Sequence, residues 1–439
     1  MAILHKYNDI MRIAVPSIIS NISVPLLGMA DIAITGHLGS EIYIGAISVG
    51  STIFNMIYWI FNFLRFGTGS LTSQSYGRRN FEDCALSLAR SLFITLVVAT
   101  LLILFQSHIK NLSFLIITAS QDVKYWASEY FNICIYGSIG FLGLFSMTGW
   151  YVGMQNTKIP LVVSLFQNIV NIIMSLIFVY VYDMGVKGVA LGTLVAQILG
   201  FLLSLTLCII YYRKVLKRLD PKKIFNIAML TKFFRINTMI FLRTLCLVAV
   251  TVYFTTAGAS MGDTILAANA LLMQFFMMYT FFIDGFAYAG EALCGKHFGA
   301  NDIAALRHTT QRLFKIGYLV AIIFVLLYLI IGHYAITLFT DQPIVVSTAN
   351  SYFGWVLLIP IAGMAAFVWD GIYVGCGYVG NMLICTAIGA AIFFSTWFAL
   401  KSYIGNHALW LAFITYLAAR GLVLQIASKN NFASQQKNT

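Results

Sequence analysis

Residues 311–331 read QRLFKIGYLVAIIFVLLYLII, a run that is apolar over nearly its whole length. A bilayer core about 30 Å thick is crossed by roughly 20 such residues in a helix. Comparable runs recur between Met11 and Ala427, and only 10% of the 439 residues are charged, against roughly 25% in soluble proteins. The pattern predicts an all-α polytopic membrane protein.

The apolar runs predict twelve transmembrane helices. They cover residues 9–35, 42–72, 89–106, 125–152, 160–182, 188–212, 230–258, 264–293, 311–331, 346–375, 381–401 and 409–427. Basic residues gather in the even-numbered connections and near both ends, whereas the other side carries only Lys110, Lys124, Lys187 and Lys401. By the positive-inside rule both termini face the cytoplasm, and we expect a multi-pass protein of the bacterial inner membrane.

An internal repeat predicts two related halves. Gly39 precedes one apolar run that ends at Gly77, and Gly262 precedes another that ends at Gly299, at offsets of 223 (262 − 39) and 222 (299 − 77) residues. Both copies start outside and end inside, so we predict two six-helix bundles related by a pseudo-two-fold axis along the membrane normal. The bundles comprise residues 1–212 and 230–439, and the basic stretch 213–229 forms a cytoplasmic linker that contacts anionic lipid.

Composition also excludes several classes of protein. The net charge of +12 lies in short loops rather than on a soluble face, so no nucleic-acid partner is expected. The seven cysteines are scattered, without the spacing of a metal site, and we predict neither a metal nor a cofactor. No nucleophile or metal-protease motif occurs, which argues against a membrane-embedded enzyme.

Asp31 is the first candidate for chemistry. It lies along the first helix, six residues after Pro25, which is expected to bend the helix and act as a hinge. A carboxylate at membrane depth costs free energy unless it has a partner, a water cavity or a function, and loading a proton removes its charge. The alternative is a solvated carboxylate near the outer mouth.

The fifth helix supplies three polar side chains that can join Asp31 in a cation or proton site. They are Asn168, Asn171 and Ser175, of which the last two lie four residues apart on one face. Their oxygens can hydrogen-bond the carboxylate or ligate a hard cation. Interhelical hydrogen bonding is the alternative.

The second half carries further charges at depth. Asp284 and Glu291 lie about two turns apart on the eighth helix, with Arg243 and Arg65 as candidate counter-charges. Asp370 and Arg420 form a further candidate pair. Substrate contact and structural ion pairing are both open for these residues. Met277 lies in a run of Met and aromatic residues that suits lipophilic cations, although most such residues pack against helices or lipid.

These residues resemble the multidrug and toxic compound extrusion (MATE) transporters, in particular the DNA-damage-inducible, DinF-like bacterial branch, over nearly the whole chain. The motifs that carry the resemblance are Asp31–Ile32–Ala33, Gly36–His37–Leu38–Gly39, residues 63–69 (FLRFGTG) with Gln74, Gly149–Trp150 with Gly153, Gln155 and Pro160, residues 241–245 (FLRTL), 266–270 (LAANA) and 282–287 (FIDGFA), Glu291–Ala292, and Asp370–Gly371.

The resemblance implies a V-shaped pair of bundles that exchanges H⁺, or in some members Na⁺, for cationic or amphipathic drugs. Asp31 matches the family's first-helix aspartate and Asn171 a fifth-helix asparagine, while Asp370 matches a coupling aspartate of another branch. Ser175 departs from the family, because many relatives carry a second aspartate there, and this favours protons over sodium. We therefore expect a monomeric antiporter for lipophilic or cationic small molecules; a flippase for lipid or lipid-linked oligosaccharide is the alternative.

Overall fold

The computed structural model describes residues 7–36, 41–117 and 119–436, and they form helices joined by short loops. In chain order the α-helices are α1 (Asn8–Gly36), α2 (Glu41–Phe61), α3 (Phe63–Gly77), α4 (Phe81–Leu104), α5 (Gln106–Ile116), α6 (Gln121–Cys134), α7 (Ser138–Gly153), α8 (Lys158–Leu176), α9 (Gly185–Leu216), α10 (Ile227–Ser260), α11 (Asp263–Gly299), α12 (Ile303–Phe339), α13 (Pro343–Cys376), α14 (Val379–Ile404) and α15 (Asn406–Gln436). Twelve helical segments of this described part are long and apolar enough to cross a membrane, which confirms the predicted fold class.

Several helices extend beyond the predicted apolar cores. α4 begins at Phe81 rather than at residue 89, and α12 covers Ile303–Phe339 rather than 311–331. The additional turns mix polar and apolar residues, and such turns can continue a helix outside the apolar core of a bilayer. The second span is interrupted at Asn62, between α2 and α3. The short helix α5 was not predicted, because its 11 residues mix polar and apolar side chains.

The chain divides into two compact units, which differ from the predicted bundles at two places. One unit takes Ile19–Asn237, and the other takes the chain up to Ile18 and from Thr238 onward. The start of α1 groups with the second unit because Ala14 and Ile18 contact α11 at Gly285. The linker segment groups with the first unit, where the buried Arg90 holds it.

Arg90 of α4 fixes the linker through its guanidinium group. Its Nε atom donates to the Ile224 carbonyl at 3.0 Å, and its Nη2 atom donates to the Lys223 carbonyl at 2.8 Å. The Lys223 ammonium also lies 2.6 Å from the Glu82 carboxylate. The Glu82 hydrogen bond raises the pKa of Lys223 above its usual value. The basic stretch is therefore bound to the first unit rather than extended into solvent.

The helix ends repeat at an offset of 222 residues. A positive φ outside glycine is uncommon, so its recurrence at one spacing is informative. The pairs with positive φ are Arg79 and Asn301 (301 − 79), Gln155 and Gly377 (377 − 155), and Asp183 and Gly405 (405 − 183). Asn80 and Asp302 then cap the next helix, accepting hydrogen bonds from the backbone N–H groups of Asp83 and Ala305. Gly39 and Ser40 of the predicted repeat, and the family-motif residues His37 and Leu38, lie outside the described residues.

Two close approaches of a glycine to the backbone of a neighbouring helix repeat at the same offset. A Cβ atom added at Gly149 would lie 2.1 Å from the Arg65 carbonyl oxygen, and one added at Gly371 would lie 2.0 Å from the Ala287 carbonyl oxygen. Both members of the second contact lie 222 residues beyond those of the first (371 − 149 and 287 − 65). Glycine lets α7 approach α3 and lets α13 approach α11. The two units are thus built on the same packing.

Candidate functional site

Asp31 lies buried within α1, with 9% of its surface exposed. Its Oδ1 atom has no hydrogen-bond partner among the described residues. Tyr130 and Cys134 of α6 lie close enough for the charge of Asp31 to act on both. The aspartate is therefore largely enclosed by protein.

Two hydrogen bonds align α1 with α8 and the turn that follows it. The Asn168 amide nitrogen donates to the Ser23 carbonyl at 3.1 Å. Farther along both segments, the Tyr180 hydroxyl donates to the Ile34 carbonyl at 3.1 Å. Because both contacts advance in the same chain direction, the two segments run parallel, and their facing residues lie between these two contacts.

Asp31, Asn171 and Ser175 all lie between those two contacts. Asn171 and Ser175 are buried, with 1% and 0% of their surface exposed. The Asn171 amide nitrogen donates to the Thr193 hydroxyl of α9 at 3.0 Å. The Asn171 Oδ1 and Ser175 Oγ atoms have no hydrogen-bond partner within the described ranges. Three buried oxygens without partners therefore occur on two neighbouring helices.

A π-helical turn begins two residues after Ser175. It covers Ile177–Val181 and carries Tyr180, the residue that reaches α1. Such turns contain one residue more than an α-helix and occur frequently at functional sites. Pro25 lies in α1 with an exposed ring, six residues before Asp31. Its missing N–H removes one hydrogen bond of α1 on this stretch.

The second unit fills the corresponding positions with aromatic rings. At an offset of 222 residues, Asp31 corresponds to Tyr253 (253 − 31), Asn171 to Phe393 (393 − 171) and Ser175 to Trp397 (397 − 175). The Trp397 indole N–H donates to the Tyr253 hydroxyl at 3.1 Å. The Phe393 ring packs edge-on against Tyr253, with centroids 6.3 Å apart. This half therefore has no carboxylate at the position of Asp31.

A buried cluster of three charges lies elsewhere in the second unit. Arg243 and Arg420 both donate to the Oδ2 atom of Asp370, the latter at 2.6 Å. The two arginines are 6% and 4% exposed. Arg420 also donates to the Tyr416 hydroxyl at 3.4 Å. The candidate pair of Asp370 and Arg420 is thus present, with Arg243 as a second donor to the same oxygen.

The remaining predicted residues occupy separate places. Arg243 was offered as a counter-charge for Asp284 and Glu291, and it instead binds Asp370. Glu291 is fully buried in α11, whereas Asp284 and Met277 on the same helix are half-buried. The buried Arg65 of α3 places its guanidinium 3.8 Å from the centroid of the Phe66 ring.

Sequence reasoning missed three neighbours of the site. Thr193 binds Asn171, Tyr180 binds α1, and Tyr130 lies within electrostatic reach of Asp31. Each comes from another helix or from an irregular turn. Helical periodicity identifies which residues share a face, but it does not identify the partner helix.

The chain resembles known proteins along most of its length. The sequence profile of the MatE family matches residues 16–177 and 240–396. DNA damage-inducible protein F of Escherichia coli is 34% identical over 417 residues, covering 94% of this chain and 90% of that protein. Multidrug export protein MepA of Staphylococcus aureus is 20% identical over 417 residues, covering 92% and 89%.

Solved structures show the same fold. A crystal structure of the Vibrio cholerae MATE transporter VcmN in the bent form superimposes with a TM-score of 0.86 at 17% identity, covering 98% of this chain and 97% of that one. Three observations point to the same family. They are the repeated glycine contacts of the two halves, the buried aspartate of the first helix, and the profile match over both halves. The chain belongs to the MatE family of membrane transporters.

Proposed function

We propose that the protein is a proton-driven antiporter of the bacterial inner membrane that exports lipophilic or cationic small molecules. Asp31 is its proton carrier. The observation that carries this proposal is the buried Asp31 carboxylate, whose Oδ1 atom lacks a hydrogen-bond partner within the part of the chain described. The similarity to a multidrug export protein and the shared fold with a multidrug resistance transporter support small-molecule export.

Proton occupancy changes what Asp31 can do. An ionised carboxylate at membrane depth is costly without a partner, and proton uptake removes that cost. Protonation also adds an O–H donor, and the Asn171 Oδ1 and Ser175 Oγ atoms on the adjacent helix are acceptors without partners in the described ranges. Loading a proton therefore favours a closer approach of α1 to α8, and Pro25 gives α1 a place to bend.

Protons fit this site better than sodium. Asp31 offers one carboxylate, and the neighbouring oxygens of Asn171 and Ser175 are neutral. A sodium ion must be desolvated and surrounded by several oxygen ligands, whereas a proton needs one carboxylate. The Ser175 position lacks the second aspartate that the family resemblance associates with a cation cage.

Coupling resides in the first unit. The second unit has Tyr253 and Trp397 in place of Asp31 and Ser175, and these side chains bind each other. Asp370 already accepts hydrogen bonds from Arg243 and Arg420. Exchange then requires only that substrate and proton favour different conformations of the first unit, so that each displaces the other.

The test is ethidium transport by proteoliposomes under pH and sodium gradients imposed separately. Wild-type protein should respond to the pH gradient, and Asp31→Asn should lower that rate at least tenfold. Asp183→Asn is the matched control, because Asp183 is exposed and has a positive φ that asparagine tolerates. A wild-type rate in Asp31→Asn, or transport driven by sodium alone, contradicts the proposal.

A further inference from the structure

The second unit contains a groove that the antiport proposal does not use. It has a volume of about 860 Å³ and lies between α12, α13 and α15. The groove is lined by residues 303–318 of α12 and by residues 414–429 of α15, each about 22 Å of helix. One leaflet of a bilayer core is about 15 Å thick, so the groove is long enough for an acyl chain and a headgroup.

Small side chains create the groove. Ala362 and Ala365 of α13 and Ala418 and Gly421 of α15 line its floor. A Cβ atom added at Gly421 would lie 2.8 Å from the Ala365 Cβ atom, which shows that the two helices are in close contact there. The helices thus meet at the floor, and their short side chains leave the space above it open.

The groove has an apolar shaft and a basic end. Leu358, Ile361 and Leu422 line the shaft with 41%, 58% and 63% of their surface exposed. Arg307, at the start of α12, and Lys429, near the end of α15, line the opposite end. The lining residues include no aspartate or glutamate.

This distribution matches the chemistry of one class of molecule. An anionic headgroup is attracted to the two basic side chains, while acyl chains cover the exposed apolar shaft. The basic end lies on the side where basic loop residues predominate, which is the side of the anionic leaflet surface. A cationic amphiphile is disfavoured, because it would meet two positive charges.

We propose that this groove binds an anionic phospholipid of the surrounding membrane, with its phosphate between Arg307 and Lys429 and an acyl chain along Leu358 and Ile361. The site is independent of the Asp31 mechanism. Trp369, which lines the groove and donates to Gln425 at 2.8 Å, is a natural reporter of occupancy.

The experiment uses full-length protein in nanodiscs of phosphatidylcholine, titrated with phosphatidylglycerol that carries brominated acyl chains. Bromine quenches the fluorescence of nearby tryptophan. The difference between wild-type protein and the Trp369→Phe variant gives the part of the quenching that arises in the groove. Wild-type protein should prefer phosphatidylglycerol to brominated phosphatidylcholine, and the double variant Arg307→Gln/Lys429→Gln should lower its apparent affinity roughly thirtyfold, from about 1 kcal/mol per basic residue. The variant Arg213→Gln/Lys214→Gln removes two charges outside the groove and should retain the affinity.

A second variant tests the shaft. Ala418→Leu fills the groove and should abolish the groove-specific quenching, whereas Ala391→Leu, at an exposed position of α14 outside the groove, should not. Equal quenching of wild-type protein by the two lipids overturns the proposal. Unchanged binding in Ala418→Leu, or equal losses in the two double-charge variants, overturns it as well.

Discussion

The Nη2 atom of Arg420 lies 2.6 Å from the Oδ2 atom of Asp370, and both side chains belong to the second unit. Arg243 donates to the same oxygen. Two buried guanidinium groups thus share one carboxylate as their negatively charged partner. Removing one member of a buried ion pair leaves the other charge uncompensated and costs about 3–5 kcal/mol.

Asp370→Asn should therefore lower the free energy of unfolding by about that amount. Arg243→Gln should cost less, because Asp370 then keeps Arg420. Thermal unfolding of the purified protein in detergent measures both, with Asp341→Asn at an exposed position as the control. Equal stability of Asp370→Asn and wild-type protein would show that the cluster is not coupled in this way.

The Ser175→Ala variant should lower the transport rate without lowering the stability of the fold. The Ser175 Oγ atom is buried and has no hydrogen-bond partner in the described part of the chain, so its removal should leave stability unchanged or raise it by about 1 kcal/mol. Transport driven by a pH gradient should fall several-fold if this oxygen accepts the proton of Asp31. The rate in proteoliposomes and the melting temperature are measured on the same preparation.

Ser146→Ala is the contrasting variant for that experiment. The Ser146 hydroxyl bonds the hydroxyls of Ser91 and Thr95 at 2.7 and 2.8 Å, so its loss should destabilise the first unit by about 1–3 kcal/mol. A stability loss in Ser175→Ala as large as in Ser146→Ala would mean that Ser175 is a packing residue.

Gly371→Ala should separate α13 from α11. The added Cβ atom would lie 2.0 Å from the Ala287 carbonyl oxygen, a backbone atom that cannot turn away. We expect a loss of several kcal/mol, typical of overpacking at a rigid contact, and reduced yield of folded protein. Gly354→Ala on the same helix has no atom within 4 Å and should be neutral or stabilising by up to about 1 kcal/mol. Equal melting temperatures for the two variants would refute the close contact.

Arg90→Leu should release the linker between the two halves. It removes the bonds to the carbonyls of Lys223 and Ile224. Limited digestion with trypsin should then cleave near Lys222 and Lys223 several-fold faster, since cleavage follows local opening. Glu82→Gln removes only an exposed ion pair and should change the rate much less. Equal acceleration by both variants would assign the anchoring to the surface charges.

The contact of Lys223 with Glu82 also makes the stability of the folded protein depend on pH in the alkaline range. Because the folded protein raises the pKa of Lys223, the stabilisation is present below its usual pKa of 10.5 and is lost as the pH rises through the raised value. Wild-type protein should lose more stability than Glu82→Gln between about pH 10 and pH 12. Parallel melting curves for the two proteins across this range would exclude the linkage.

The fold could be predicted because the signals for it are local. The lengths of the apolar runs indicate the twelve spans, and the two runs that end at Gly77 and Gly299 indicate the repeat. The site could be predicted in part: Asp31, Asn171 and Ser175 stand out as polar residues in apolar runs. Their partners could not, because Thr193 and Tyr180 contribute through contacts between helices. The pairing of Arg243 with Asp370 could not be predicted for the same reason, since 127 residues separate them.

The π-helical turn Ile177–Val181 contains one residue more than an α-helical turn. The position of this extra residue sets the rotation of the α8 side chains about the helix axis. Each residue of an α-helix advances by about 100°, so shifting the bulge by about two turns, past Ser175 and Asn171, would rotate the intervening side chains around the axis. Both flanks of the helix would keep their own backbone hydrogen bonds during such a shift. The Asn171 and Ser175 oxygens could thus be re-aimed without unwinding the membrane span, by migration of a single defect.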